Sequence, residues 1–77
     1  MGKYSLEFIL TTYGSTQETV GNSLKEFAEE LEVSEIKNEE FTKSCNFKVT
    51  AKTLDPTLIF DVCSQFGRIK EIKINEE

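Results

Sequence analysis

The densest group of side chains that could do chemistry is Thr11-Thr12-Tyr13-Gly14-Ser15-Thr16. It combines hydroxyls, a glycine and the start of a helical pattern, whose first N–H groups can receive a carboxylate or phosphate. Ser15-Thr16-Gln17-Glu18 also reads as a capping box, in which Ser15 and Glu18 use those same N–H groups and Glu18 repels an anion. Histidine is absent, which removes the commonest metal ligand and the usual general base near neutral pH. Cys45 and Cys63 are too few and too far apart for a disulfide scaffold or zinc site. Carboxylates are plentiful, yet none sits in an apolar context that would raise its pKa, and no nucleophile–base pair is visible. The expectation is a protein without catalytic residues, metal or cofactor.

The elements that position these residues follow from periodicity. Tyr4, Leu6, Phe8 and Leu10 alternate as one face of a strand. Val20, Leu24, Phe27, Ala28 and Leu31 recur at helical spacing and predict a helix running from the capping box to Leu31. Residues 34–42 are extended but poorly patterned, because Ile36 and Phe41 differ in parity. A turn falls either at Asn38-Glu39-Glu40 or at Thr42-Lys43-Ser44. Cys45, Phe47, Val49 and Ala51 form the inner face of a clear strand, with Asn46, Lys48, Thr50 and Lys52 outside. Asp55-Pro56 opens a second helix with stripe Ile59, Val62, Cys63 and Phe66, and Gly67 suits a left-handed position closing it. Arg68–Asn75 is the last strand, with Ile72 and Ile74 opposite Glu71 and Lys73. Ile69 breaks that alternation.

The order β-α-β-β-α-β predicts an α+β, ferredoxin-like sandwich, a four-stranded antiparallel sheet with two helices on one face, as a single domain over residues 1–77. Its open face carries Ser5, Glu7, Ile9 and Thr11, then Asn46, Lys48 and Thr50, then Glu71 and Lys73. No aromatic side chain stands there to stack bases, and Asp+Glu 14 against Lys+Arg 9 gives a net charge of −5. Nucleic acid is therefore not expected as a partner. With no bilayer-length apolar run, and no secretory signal in Met1-Gly2-Lys3, no membrane is expected and the expected location is cytoplasmic. Both cysteines fall on inner faces and read as reduced core residues.

In element order, and in Gly14 just after the first strand, the chain resembles small-molecule-sensing ACT domains. The resemblance implies a ligand site for a small anion or amino acid at Thr12, Tyr13, Gly14, Ser15 and Thr16. Thr12-Tyr13 stand where that family carries an Asp-x-Pro-Gly type signal. Acylphosphatases share the sandwich but rely on an arginine in the first loop, whereas the only arginine here is Arg68. Small accessory subunits of purine synthesis compare in size and order. Fold alone does not assign an activity.

The reading is thus a small non-catalytic binding or accessory module acting through protein–protein contacts and self-associating as a homodimer. The interface would be a sheet edge or the open face around Ile9. One alternative is the ACT-like sensor. The other is a non-catalytic subunit of a larger enzyme complex, docking a basic partner through the acidic patch marked by Glu29, Glu30 and Glu35.

Overall fold

The computed structural model describes residues 2–36 and 44–76. The order is β1 (Tyr4–Tyr13), α1 (Gln17–Leu24), β2 (Glu30–Ile36), β3 (Ser44–Thr53), α2 (Pro56–Phe66) and β4 (Gly67–Glu76). The strands form one antiparallel sheet in the order β2-β3-β1-β4, an α+β ferredoxin-like arrangement. Both turns expected between the second and third strands involve residues 37–43, which lie outside the described residues.

The alternation read from the sequence sets the core. Leu6, Phe8 and Leu10 of β1 and Phe47, Val49 and Ala51 of β3 are buried, and they meet Val20 and Leu24 of α1 and Ile59 and Cys63 of α2. The Phe60 ring leans against Phe8, centroids 5.4 Å apart. Burying the larger of these side chains, the valines, leucines, isoleucine and phenylalanines, supplies roughly 1.5–3 kcal/mol each and drives the two helices onto one sheet face.

Four local expectations are corrected. First, α1 stops at Leu24 instead of running to Leu31. Its interior holds Gly21, Asn22 and Ser23, all poor helix formers, and Leu31 and Val33 follow with strand alternation. Leu31 therefore packs from β2 and Phe27 is left at the surface. Second, the second strand begins at Glu30, earlier than the 34–42 expected. The Glu29 N–H donates to the Lys52 carbonyl at 2.8 Å, starting the β2–β3 ladder. The buried Thr53 hydroxyl donates to the Phe27 carbonyl at 2.7 Å and accepts from the Asp55 N–H at 3.1 Å, pinning the α1–β2 turn to the β3–α2 turn.

Third, Gly67 closes α2 in extended geometry, φ 171, not in a left-handed turn. Glycine is needed there because β4 crosses so close to β1 that a Cβ would lie 1.8 Å from the Thr11 carbonyl oxygen. Fourth, Ile69 fits the inner face, opposite Leu10. The apparent break comes from an extra residue in β4. Ile9 pairs with Lys70 and Glu7 with Lys73, and Glu71 takes φ 53 at the resulting bulge. Beyond the bulge Ile74 faces Leu6, again on the core side. The expected start of α2 at Asp55 and Pro56 holds, with the Asp55 carboxylate accepting from the Thr57 N–H at 3.0 Å.

Candidate functional site

The β1–α1 loop does not gather its hydroxyls. Thr12 ends the inner face of β1 fully buried, and its Oγ1 has no hydrogen-bond partner among the described residues. Tyr13 points away, 70% exposed, and Gly14 makes the turn at φ 83. Capping falls to Thr16 rather than Ser15. The Thr16 Oγ1 accepts from the Thr19 N–H at 3.2 Å and lies 2.9 Å from the Thr19 hydroxyl, which displaces the expected Ser15–Glu18 box by one residue. One orphan N–H of α1 is thereby satisfied by the chain itself, and Thr12 and Tyr13 diverge to opposite sides of the sheet.

Beside this loop lies a feature that the sequence reading passed over. Thr16, Gln17, Glu18, Gly21 and Asn22 of α1, with Leu31 and Val33 of β2, line an open groove of about 510 Å³. The Gln17 amide donates across it to the Val33 carbonyl. The signal available in the sequence was the alternation of Leu31 and Val33, absorbed there into an overlong helix.

The acidic residues are on the sheet edge. Glu29 precedes β2 and meets Lys3 at 2.7 Å; Glu30 lies 3.4 Å from Lys52; Glu35 stands opposite Phe47, exposed. The acidic patch marked by these residues thus lies along β2 and the turn before it. Such surface pairs contribute little to stability.

On the open face, Glu7 and Lys48 pair at 2.9 Å across β1 and β3. The hydrogen bond from Lys48 and its charge, with Lys73 adding to it, hold the Glu7 carboxyl below its ordinary value. The same bond and charge raise Lys48. The Thr11 hydroxyl donates to Asn46 Oδ1 at 2.6 Å. Ile9 is half-buried between Lys48 and Lys70, its neighbours in register, so charge flanks it on both sides. At the β4 bulge a hollow of about 260 Å³ opens among Glu7, Phe8, Ile9, Lys48, Glu71 and Lys73.

Cys63 is buried in the core and Cys45 is half-buried against it, both as free thiols. Burial pushes the Cys63 thiol up to about 12, far from the thiolate that nucleophilic chemistry needs. No helix among the described residues is long and apolar enough to cross a membrane.

The remaining exposed apolar surface is on β4. Ile72 and Ile74 are about half exposed although they share the core-side face, because β4 is the sheet's outer strand. Leu54, just before the Asp55 cap, and Leu58, in the first turn of α2, are exposed too. Comparison with family models, curated proteins and solved structures finds no match to this chain.

Proposed function

We propose that the chain is a small protein-binding module that works through the edges of its sheet. The observation that carries this reading is the state of β4. It has a strand neighbour on one side only among the described residues, and it holds Ile72 and Ile74 half exposed beside that edge. Half-exposed apolar side chains next to an open ladder are what an added strand would cover. The Ile9 face supports the reading less, since Lys48 and Lys70 flank that residue.

The sensor reading at Thr12–Thr16 has one observation in its favour, the unpartnered hydroxyl of buried Thr12. Against it stand the exposed Tyr13 and the self-capped Thr16. The test is cross-linking mass spectrometry in native cell extract with wild type, I72K/I74K and Gly14→Val. Cross-links to β4 that vanish in I72K/I74K and survive in Gly14→Val are the expected result. The opposite pattern would replace the module by the sensor.

A further inference from the structure

The two outer strands of the sheet carry opposite charge. On the open face β4 presents Arg68, Lys70 and Lys73, opposite Thr11, Ile9 and Glu7 of β1, with Glu71 at the bulge among them, so the three cations leave that face with a net positive charge. At the far edge β2 presents Glu30 and Glu32 on that same face, opposite Lys52 and Thr50 of β3. Pairing like edges would set glutamate against glutamate, or lysine and arginine against each other, and like charges directly opposite destabilise a sheet. Unlike edges do not have this conflict.

Strand direction allows the unlike pair. β1 and β2 both run antiparallel to β3, and β4 runs antiparallel to β1. A second copy placed beside the first, helices on the same side, therefore brings its β2 antiparallel to β4. We propose that β4 of one copy pairs with β2 of the next in the register that sets Lys70 opposite Glu32.

That register satisfies both faces at once. Carrying the β4 bulge across as β1 does, Lys73 falls opposite Glu30, as it falls opposite Glu7 within the chain. On the core side Ile69 meets Val33, and the half-exposed Ile72 meets the half-buried Leu31. Gln17, which holds the Val33 carbonyl in the single copy, is exposed and gives up one hydrogen bond for a ladder. The proposal rests on the module reading and names its partner as a second copy of this chain. Because the two edges differ, the contact is heterologous and does not close on itself as a dimer does.

The test is sedimentation velocity at low salt over a wide concentration range. Wild type should show an average mass that keeps rising with concentration past the dimer. K70E/K73E and E30K/E32K, all at exposed positions, should each weaken association about tenfold or more. Their equimolar mixture should assemble again, since each then offers the edge the other lacks. A wild type that stays monomeric would overturn the proposal, as would a mass that stops at a dimer indifferent to E30K/E32K. In either case I72K/I74K-sensitive cross-links to a different protein would leave the module reading standing, and their absence would remove it as well.

Discussion

The halves β1–α1–β2 and β3–α2–β4 repeat one order of elements with helices of different build. α2 has eleven residues, an Asp55 cap, Pro56 at its start and an uninterrupted apolar stripe. α1 has eight, capped by Thr16, with Gly21-Asn22-Ser23 in its second turn and Glu26 just beyond its end, where negative charge opposes the helix dipole. The long helix leads directly into its strand at Gly67, whereas the short one needs the turn Lys25–Glu29. Helix length here follows from interior propensity and from how soon the chain must re-enter the sheet, and apolar spacing alone does not determine it.

The sharpest way to probe that difference is to load the two glycines that join strand and helix, Gly14 before α1 and Gly67 after α2. Gly67 joins helix to strand with Thr11 backbone in the way of any side chain, and that backbone belongs to β1, one of the two central strands. Gly67→Ala should cost about 3 kcal/mol or more, at the top of the usual overpacking range. Gly14 has open space around it and only its φ of 83 to defend, so Gly14→Ala should cost about 1–2 kcal/mol. Urea unfolding of both variants measures the gap. A smaller loss at Gly67 than at Gly14 would mean that β4 can slide away from β1, and the two joints would be equivalent.

The fold was legible because its two central strands alternate strictly and the second helix carries its own start signal in Asp55-Pro56. The boundary of α1 was not legible because Leu31 satisfies two periods. It continues the spacing of Val20 and Leu24, and it also alternates with Val33. Only the partner strand decides, by placing Ala51 opposite Leu31 and Val49 opposite Val33. Gly67 and Ile69 were misread for a related reason, since close approach to Thr11 and a bulge at Glu71 are properties of the β1–β4 pair. Of the residues expected together on a loop, Thr12 and Tyr13 are the last two of β1 and only Gly14 to Thr16 lie between β1 and α1, so their directions depend on where β1 ends. Thr12 still belongs to the inner face of the strand, and that takes it away from Tyr13.

Gly21 offers a gentler handle on the same asymmetry. It is inside α1, and a Cβ there would meet nothing within 4 Å. Gly21→Ala should therefore stabilise the protein by about 0.5–1 kcal/mol, by removing backbone freedom from the unfolded chain and raising helix propensity. Amide hydrogen exchange should show the gain concentrated in α1, narrowing its difference from α2. Unchanged protection in α1 would mean that its length is held by the Thr53–Phe27 hydrogen bond and not by its composition.

The smallest effect concerns the ion pair that ties the two halves together, Glu7 of β1 to Lys48 of β3. Glu7 is lowered below 4.5 in the folded chain, so its contribution is complete above that value and is lost as pH falls through the folded one. Lys48 is raised above 10.5, so its contribution is complete below that value and is lost as pH climbs through the folded one. The alkaline side is confounded by Cys63, whose rise from 9.0 to about 12 makes its own contribution full below 9.0 and then decline as pH rises. The acid side is the cleaner place to look. Lys48→Gln should flatten the loss of stability below pH 4.5, and 1 M salt should make wild type resemble the variant, because both side chains are exposed to screening. An acid slope that survives both changes would have to come from another carboxylate, and the contact between the halves would then rest on apolar packing and the β1–β3 ladder.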